Sequence, residues 1–495
     1  MSITKFYENQ EIFITGGSGF IGNVLIEKLI RSFPNFAKMY VLIRNKKGKS
    51  VDERLQEVLN KSVFDRARKE QPQAFSKIIP IAGDCQELEL GISKEDLEKL
   101  KNVNLVFHSA ASVRFDDYLR SAILLNTRGT HELVKLATKF KQLKAFVHIS
   151  TSYSNPDKHV VEERIYPAYA DWRTTIKLAE TYDVETLNII FSKYSSDQPN
   201  TYIFTKSLAE HVINDYRHQL PIMVFRPSIV VSTIEEPISG WVDNFNGPIG
   251  MLVACGVGIL RTSYADPDIT ADVIPVDVTV KALLIAAFKL ATRQSIPREI
   301  SDELEVINCA NATINSINYG NVIRLGKICI KKNPFEKCLW LPEGSITRCA
   351  VWHYLRLFTL QIGLALIVDA LLGLAKQKPF LLKLQRRICA ANSALYVFMT
   401  TEWIFCNEKF KNLENLIPPE DKEKLSFMCY SDFDHEKFIS HGIKGAKQFL
   451  LKESPEASNQ AKMRLKIFWV LHYLIQFIGV FLIGKMLIRY LKTYF

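Results

Sequence analysis

A short apolar run, a glycine-rich turn and an amphipathic helical run follow one another at the start of the chain. Residues 12–14 predict a buried strand, residues 15–22 carry four glycines, and residues 24–30 are mostly apolar. In such a turn one glycine permits the tight bend, one lets the backbone approach a pyrophosphate, and one lets the helix pack on the sheet. The pyrophosphate would then rest on free N–H groups at the start of the helix. This order of elements predicts a dinucleotide-binding site.

Alternating strand-like and helical runs continue from residue 10 to about residue 290. Helical patterns lie between the runs, as at residues 121–141 and 205–216. The candidate strands are residues 39–43, 78–81, 105–108, 145–150 and 222–226. This alternation predicts an α/β fold with a doubly wound parallel sheet. Residues 239–275 are rich in Gly, Pro and Asp, and we expect them to form long loops over a substrate cleft.

Two apolar segments lie in the last third of the chain. Residues 357–375 are interrupted by Gln361 and by Asp369, and a central Asp is poorly tolerated in a membrane span. We therefore expect a buried or membrane-dipping helix there. Residues 467–484 have basic residues on both sides and nearly reach the length of about 20 that crosses a bilayer. They predict a membrane helix, with an interfacial or packed helix as the alternative.

The net charge indicates which partners to expect, and the cysteine pattern bears on disulfides and metal sites. The formal net charge is +11, which favours acidic partners such as anionic lipid or a phosphorylated cofactor. The sequence carries no nucleic-acid-binding motif, so no nucleic-acid partner is expected. The nine cysteines are dispersed and form no Cys-x-x-Cys pair, so neither a disulfide framework nor a metal site is predicted.

Arg44 ends the second predicted strand, about 20 residues beyond the glycines. An NAD-specific site usually has Asp or Glu at this place to bind the ribose hydroxyls. The planar guanidinium of Arg44 instead suits a 2′-phosphate. The residue predicts NADPH as the cofactor, and a solvated basic loop is the alternative explanation.

Tyr202 and Lys206 stand four residues apart, which places both side chains on one face of a helix. A nearby ammonium group would favour the phenolate and lower the pKa of Tyr202 from its usual value near 10. Thr151 follows the fifth predicted strand, where a hydroxyl faces the ligand crevice of a doubly wound sheet. We expect Thr151 to bind the substrate oxygen, with Ser152 as the alternative. The long gap between Thr151 and Tyr202 predicts an insertion.

Together these motifs resemble the fatty acyl-CoA reductases, which are extended short-chain dehydrogenase/reductases with a C-terminal family domain. The matching stretches are residues 15–22, 41–44, 108–115, 150–151, 202–206, 226–230, 236–248, 398–403 and 442–453. Residues 152–154 read Ser-Tyr-Ser where the family often has Ala-Tyr-Val, which leaves the catalytic hydroxyl open. The resemblance implies a Rossmann reductase domain over residues 1–350 and a mainly helical domain over residues 351–453. A linker and membrane helix would occupy residues 454–495.

The resemblance implies reduction of a long-chain fatty acyl-CoA by NADPH. The product would be a primary alcohol, formed through an aldehyde with release of CoA. Thr151 would hold the carbonyl oxygen, and Tyr202 would protonate it with help from Lys206. The residues expected to bind the cofactor are Gly16, Gly19, Phe20, Ile21, Gly22, Arg44, Asp84, Ala110, Tyr202, Lys206 and Pro227.

Two other functions compete with this interpretation. A membrane-bound hydroxysteroid dehydrogenase, acting on a sterol or another lipid carbonyl, would share Tyr202 and Lys206 but lack the block at residues 241–248. A non-catalytic cofactor-sensing scaffold would have little need for Tyr202 and Lys206 four residues apart. The expected location is an endoplasmic reticulum or peroxisomal membrane, crossed once by the C-terminal helix, with the catalytic domain in the cytosol. The chain-length preference and a homodimer are left open.

Overall fold

The computed structural model describes residues 1–46, 48–115, 117–195, 198–293 and 303–494. Thirteen strands lie in these ranges. They are β1 (Glu11–Thr15), β2 (Lys38–Ile43), β3 (Ile78–Ala82), β4 (Leu105–His108), β5 (Ala145–Ile149), β6 (Val160–Val161), β7 (Ile222–Pro227), β8 (Ile229–Val231), β9 (Thr262–Tyr264), β10 (Val273–Pro275), β11 (Glu305–Cys309), β12 (Ser345–Thr347) and β13 (Ile404–Phe405).

Twenty α-helices accompany these strands, and π-helical turns follow three of the helices. The helices are α1 (Ile3–Tyr7), α2 (Phe20–Ser32), α3 (Val51–Leu59), α4 (Asp65–Glu70), α5 (Lys94–Lys99), α6 (Leu119–Ala122), α7 (Gly129–Ala137), α8 (Trp172–Thr181), α9 (Val184–Tyr194), α10 (Thr201–Asp215), α11 (Gly247–Gly256), α12 (Val276–Arg293), α13 (Tyr319–Lys332), α14 (Ala350–Arg356), α15 (Leu364–Leu374), α16 (Leu381–Thr400), α17 (Glu408–Leu413), α18 (Lys422–Leu425), α19 (His435–Gly445) and α20 (Asn459–Tyr494). The π-helical turns are Ile123–Arg128, Leu357–Gly363 and Ala446–Leu450.

The main sheet has seven strands in the order β11-β7-β5-β4-β1-β2-β3, and every neighbouring pair is parallel. From β1 the chain moves outward through β2 to β3, and then returns to the other side of β1 with β4. The order therefore reverses between β1 and β4. In open α/β sheets the ligand crevice lies outside the carboxyl ends of the strands at this reversal. The α/β fold with a doubly wound parallel sheet is confirmed.

The central strands of the sheet are buried on both faces. Every residue of β4, β5 and β7 is buried, which is why their sequences are continuous apolar runs rather than alternating ones. Phe107 and Phe146 are among the largest fully buried side chains. Truncating such a phenylalanine to alanine costs about 3–5 kcal/mol of unfolding free energy. This packing holds the carboxyl ends of the strands in fixed positions.

The chain divides into two compact units, each formed by several segments. The first unit comprises Met1–Trp241, Thr270–Ile317 and Thr401–Phe433, and it contains the seven-stranded sheet. The second comprises Val242–Ile269, Asn318–Thr400 and Asp434–Phe495. Within the first unit, β13 pairs with β6, and the carboxylate of Asp421 accepts hydrogen bonds from the N-terminal residues Ile3 and Thr4. The division into three consecutive domains stays a prediction.

The predicted strands are present, and the structure adds elements that the sequence patterns did not indicate. The strand β11 was not predicted, since it is a single short run beyond the last clear strand–helix alternation. The expectation of long loops over residues 239–275 is wrong, because this stretch contains α11 and the strands β9 and β10. Proline in the first turn of α11 suits a helix start, where its missing N–H costs nothing. The insertion between Thr151 and Tyr202 contains α8 and α9.

Within the residues that the structure describes, two helical segments are long and apolar enough to cross a membrane, Ala350–Leu374 and Asn459–Met486. Only 11% of the most apolar window of the first is buried, and none of the second. For residues 357–375 the expectation of a buried helix is wrong, because most of its leucine, isoleucine and phenylalanine side chains are exposed. The membrane-dipping helix stays a prediction. The same exposure argues against the packed-helix alternative for residues 467–484.

Candidate active site

The glycine turn lies directly against the loop that follows β4. Gly16 has a φ of +74°, and a Cβ atom there would lie 2.6 Å from the backbone nitrogen of Ala110. A Cβ on Gly22 would lie 2.2 Å from the carbonyl oxygen of Gly16. Both positions therefore need glycine, the first for its conformation as well as for space. The amide of Ala110 also donates to Thr15 Oγ1, which ties β4 to the end of β1.

The start of α2 is suited to a phosphate group. Gly19 is the residue before the helix and makes no side-chain cap, so side chains leave N–H groups of the first turn open. A Cβ on Gly19 would meet only the Gly16 carbonyl within 4 Å, so the surrounding space is largely open. Phe20 and Ile21 follow, half-buried. An open, uncapped helix start at the carboxyl edge of the sheet fits a dinucleotide pyrophosphate.

The other predicted cofactor residues lie at the carboxyl ends of strands of the same sheet. Arg44 is exposed and follows β2 directly. Asp84 follows β3, and its carboxylate accepts the backbone N–H of Gln86 at 3.0 Å. Pro227 is the last residue of β7 and is buried. The parallel strands thus bring these side chains to one edge of the sheet, while their roles stay predictions.

Thr151 and Tyr202 meet at the end of β5. Thr151 is the second residue after the strand, and its hydroxyl lies close enough to the phenol of Tyr202 to lower the pKa of that phenol. Tyr202 stands in the first turn of α10, which Asn200 caps by accepting the N–H of Ile203 at 2.9 Å. The hydroxyl of Ser152 points elsewhere and donates to the carbonyl of Arg226 at 2.8 Å. The geometry therefore pairs Tyr202 with Thr151.

The pKa of Tyr202 moves in the direction opposite to the one expected. Burial raises it to about 12, and the negative charge of Glu210 adds to the rise, while the hydrogen bond from Thr151 opposes it. The prediction that Lys206 lowers this pKa is wrong, because desolvation of the phenolate dominates in this partly buried position. Tyr202 is accordingly a protonated phenol at neutral pH.

Lys206 lies one turn beyond Tyr202 and is buried. Its ammonium group donates to the carbonyl oxygen of Ile149 at 2.6 Å and lies 3.5 Å from His148 Nε2. Burial lowers the pKa of Lys206 to about 7, and the carboxylate of Glu210 opposes this fall. Lys206 therefore contacts the last residue of β5, next to Thr151.

Glu210 is a site residue that the sequence analysis missed. It follows Tyr202 and Lys206 at the same spacing of four, and this continued spacing could have revealed it. Its carboxylate accepts two hydrogen bonds from Arg226, at 2.8 and 2.6 Å, and one from Ser150 Oγ at 2.6 Å. Both members of the Glu210–Arg226 pair are fully buried. Glu210 thus joins α10 to the segment that carries Thr151.

Asn126 is a second residue that was missed. It lies in the π-helical turn after α6 and is buried. Its amide accepts the N–H of Ser112 at 2.9 Å and donates to Thr205 Oγ1 at 2.9 Å. The one hint in the sequence is a polar residue within an apolar helical run. Asn126 links the loop after β4 to the helix that carries Tyr202.

Family comparisons agree with this geometry. An NAD-binding family model described as "Male sterility protein" matches residues 14–283, and the Sterile model with the same description matches residues 360–453. "Fatty acyl-CoA reductase 1" of Xenopus laevis is 35% identical over 99% of this chain and 94% of its own length. The chain belongs to the fatty acyl-CoA reductase family. "Fatty acyl-CoA reductase wat" of Drosophila melanogaster is 34% identical over 94% of this chain and 89% of its own length.

Solved structures of reductases share the fold of this fatty acyl-CoA reductase. The terminal R domain of the myxalamid PKS-NRPS pathway has a TM-score of 0.59 at 16% identity, covering 91% of this chain and 93% of that one. The R domain of a non-ribosomal peptide synthetase from Mycobacterium tuberculosis has a TM-score of 0.58 at 18% identity, covering 89% and 92%. The chain is an oxidoreductase whose sheet is built to bind a nicotinamide cofactor.

The block around Trp241 has a structural basis in this fatty acyl-CoA reductase. Trp241 is buried and stacks on Phe20 of the glycine turn, with ring centroids 5.6 Å apart. Five residues earlier, Glu236 forms ion pairs with Lys28 and Arg31 of α2 at 2.8 and 2.6 Å. These neighbouring charges hold the pKa of the Glu236 carboxyl well below its usual range. The segment ending at Trp241 is thereby fixed to the cofactor helix.

Proposed function

We propose that this chain uses NADPH to reduce a long-chain fatty acyl-CoA to a primary alcohol, through an aldehyde and with release of CoA. The observation that carries the proposal is that the hydroxyls of Thr151 and Tyr202 lie close together at the carboxyl edge of a nicotinamide-binding sheet, where Thr151 lowers the pKa of Tyr202. The substrate class follows from relatives named fatty acyl-CoA reductase that align with nearly the whole chain.

In the proposed mechanism, bound NADPH supplies the hydride that the carbonyl carbon accepts in each of the two reductions. The hydroxyls of Thr151 and Tyr202 both donate to the carbonyl oxygen while negative charge develops on it. With a pKa of about 12, Tyr202 enters the reaction protonated and transfers its proton to this oxygen. When the resulting hemithioacetal collapses, its hydroxyl proton returns to the Tyr202 phenolate and the CoA thiolate leaves, so that Tyr202 is again protonated. The aldehyde then accepts the same two hydrogen bonds for the second reduction.

Thr151 is the better candidate for the carbonyl-binding hydroxyl. Its side chain lies beside Tyr202. The hydroxyl of Ser152 is instead fully buried and donates a hydrogen bond to the carbonyl of Arg226. Lys206 lies one turn beyond Tyr202 on α10, and its proposed role is to position the end of β5 and the cofactor rather than to lower the pKa of the phenol. Its bond to Ile149 keeps this charge at the end of β5.

The preference for NADPH over NADH rests on Arg44. Its exposed guanidinium stands at the end of β2, where an acidic residue would bind the free ribose hydroxyls of NADH. A guanidinium can instead bind a 2′-phosphate through two parallel hydrogen bonds.

The membrane attachment is proposed for α20. The segment Asn459–Met486 is apolar and unburied, and basic residues lie on both sides of residues 467–484. We propose that it crosses the endoplasmic reticulum or peroxisomal membrane once, with the reductase site in the cytosol. A long acyl chain partitions into lipid, so an enzyme held at the membrane meets its substrate there.

The proposal is tested with membranes that contain the full chain, supplied with NADPH and palmitoyl-CoA. The expected result is release of CoA together with formation of hexadecanol. Parallel incubations with a 3-ketosteroid and a hydroxysteroid test the competing dehydrogenase function. Conversion of the steroid without release of CoA would contradict the acyl-CoA assignment and favour the hydroxysteroid dehydrogenase function.

A further inference from the structure

The helical segment Ala350–Leu374 is attached to the rest of the second unit between His353 and Ala365. His353 Nδ1 lies 3.1 Å from Thr262 Oγ1, near one end of the segment. Near its middle, Gln361 Oε1 accepts the N–H groups of Arg261 and Thr262, both at 3.0 Å. One turn later, Ala365 is fully buried. These contacts hold the segment along the surface of the unit as an attached helix.

A π-helical turn keeps these attachment points on one face. In a regular α-helix, the eight steps from His353 to Gln361 make two full turns and about 80° more. The two side chains would then point in directions about 80° apart. The wider π turn Leu357–Gly363 lies between them and takes up most of this difference. His353, Gln361 and Ala365 therefore face the unit together.

The opposite face is apolar and exposed. Leu355, Phe358, Ile367 and Leu371 are each more than half exposed. A contiguous apolar surface of this kind marks a place where a soluble surface meets a partner or a membrane. Trp352, which is half exposed, adds an aromatic side chain of the type enriched at membrane–water interfaces.

The charged residues of this segment and of the helix that follows it are almost all positive. Asp369 is the only acidic residue within residues 350–401, and its carboxylate accepts the N–H groups of Phe380, Leu381 and Leu382 at 2.8–3.0 Å. Its charge is thus compensated by the start of α16. The cations of the turn before α16 and of its first two turns are exposed, and none takes part in an ion pair within the described residues; they are Lys376, Lys378, Lys383, Arg386 and Arg387.

We propose that Ala350–Leu374 is an in-plane membrane-docking helix, which lies in one leaflet with its exposed apolar face in the lipid. The five cations would contact anionic phospholipid headgroups, as basic clusters beside an amphipathic helix do. This second membrane contact is additional to α20 and independent of the reductase chemistry. It explains why Gln361 and Asp369 interrupt an otherwise apolar segment, since one attaches the helix to the second unit and the other caps α16.

The test measures the depth of Ile367 in the bilayer. The full chain carrying Ile367→Cys, in a Cys349→Ser background that removes an exposed thiol, is labelled with bimane and reconstituted into liposomes. Lipids brominated at shallow or deep positions of the acyl chain quench the label according to its depth. The parent Cys349→Ser chain gives the background. We expect the shallow bromines to quench the label more strongly than the deep ones. Phosphatidylserine in the liposomes should increase this quenching.

A matched pair of charge variants tests the role of the cations. Lys383→Gln/Arg386→Gln/Arg387→Gln should abolish the effect of phosphatidylserine on quenching. Three lysines of α13, which lie in the same unit, provide a control with the same change in charge; they are Lys327, Lys331 and Lys332. Their replacement by Gln should leave quenching unchanged.

Three results would overturn the proposal. Strongest quenching by the deepest bromines would mean that the helix spans the bilayer. Absence of quenching, with the chain still bound to liposomes, would mean that protein covers the face. If phosphatidylserine changed the quenching equally in both triple variants, the proposed contact between these cations and the headgroups would be refuted. Reductase activity is measured separately on the same liposomes, so failure of the proposed function is distinguishable from each of these.

Discussion

At the residue scale, the proposed chemistry depends on two hydroxyls that come from different elements. Thr151 lies just after β5 and Tyr202 lies in the first turn of α10. Asn200 caps α10, and the bond from Ser150 to Glu210 joins this helix to the segment that carries Thr151. The site is thus a property of the packed sheet edge rather than of either motif alone.

The first prediction concerns the proton donor. Tyr202→Phe removes the phenolic proton while keeping the ring, so we expect reduction of palmitoyl-CoA to fall by about 10²–10⁴-fold, the usual contribution of general acid catalysis. NADPH binding, followed by fluorescence titration, should be retained. Tyr182→Phe is the control, because Tyr182 is exposed. Full activity of Tyr202→Phe would refute the assignment of Tyr202 as the acid.

The second prediction concerns the charge of Lys206. Glu210 raises the pKa of Lys206 against the lowering effect of burial. Glu210→Gln removes this support, so the pKa of Lys206 falls and its ammonium form is lost at lower pH. We expect the alkaline limb of the kcat/KM profile to move to lower pH. Exposed Glu185→Gln should leave the profile unchanged, and a shift of Glu210→Gln toward higher pH would contradict this role.

The third prediction concerns cofactor choice. Arg44→Asp replaces the proposed 2′-phosphate ligand by a carboxylate that repels it. A charged hydrogen bond contributes about 1.5–3 kcal/mol, so we expect the KM for NADPH to rise on the order of 10–150-fold. The KM for NADH should fall or stay the same. Equal kinetics of the variant and the original chain with NADPH would show that Arg44 lies away from the 2′-phosphate.

At the element scale, the segment that ends at Trp241 is fixed by buried charges. Glu236 pairs with Lys28 and Arg31 of α2 and with Lys281 of α12. The carboxylate of Asp277 accepts the backbone N–H groups of residues 234–236 at 3.0–3.1 Å. Together these contacts attach the Trp241 segment to both α2 and α12.

The fourth prediction tests this attachment. Glu236→Gln leaves buried cations without their main counter-charge, and breaking one partner of a buried ion pair costs about 3–5 kcal/mol. We expect the free energy of unfolding to fall by an amount near the lower end of that range, because the Glu236 side chain is 14% exposed. Chemical denaturation of the full chain in detergent measures it. Glu235→Gln next to it is the control, since Glu235 is exposed; equal stability of both variants would contradict the role of the ion cluster.

Elements with strong local patterns were predictable from the sequence, and elements defined by distant contacts were not. The glycine turn and the five apolar strands carry their own signals, and the structure contains all of them. The strand β11 is a short run at the edge of the sheet, and its pairing with the distant strand β7 defines it. Glu210 and Asn126 act through partners far away in the sequence, so their environment appears only when the chain is folded.

At the scale of the whole molecule, the chain combines a cofactor-binding sheet with two exposed apolar helical segments. The sequence predicts one of these segments as a membrane helix and the other as a buried or membrane-dipping helix, because a central Asp usually opposes membrane insertion. Capping of α16 by Asp369 removes that objection, and this contact depends on the turn between α15 and α16. Contact with a membrane agrees with the proposed substrate, because a long-chain acyl-CoA itself partitions into lipid.

The fifth prediction tests the central proposal, that one site carries out both reductions. The measurement is the amount of NADPH oxidised per CoA released when the membrane-bound full chain acts on palmitoyl-CoA. Because Thr151 and Tyr202 would serve the thioester and the aldehyde in turn, we expect two NADPH per CoA and hexadecanol as the product. One NADPH per CoA with accumulation of hexadecanal, or no release of CoA, would contradict the proposal.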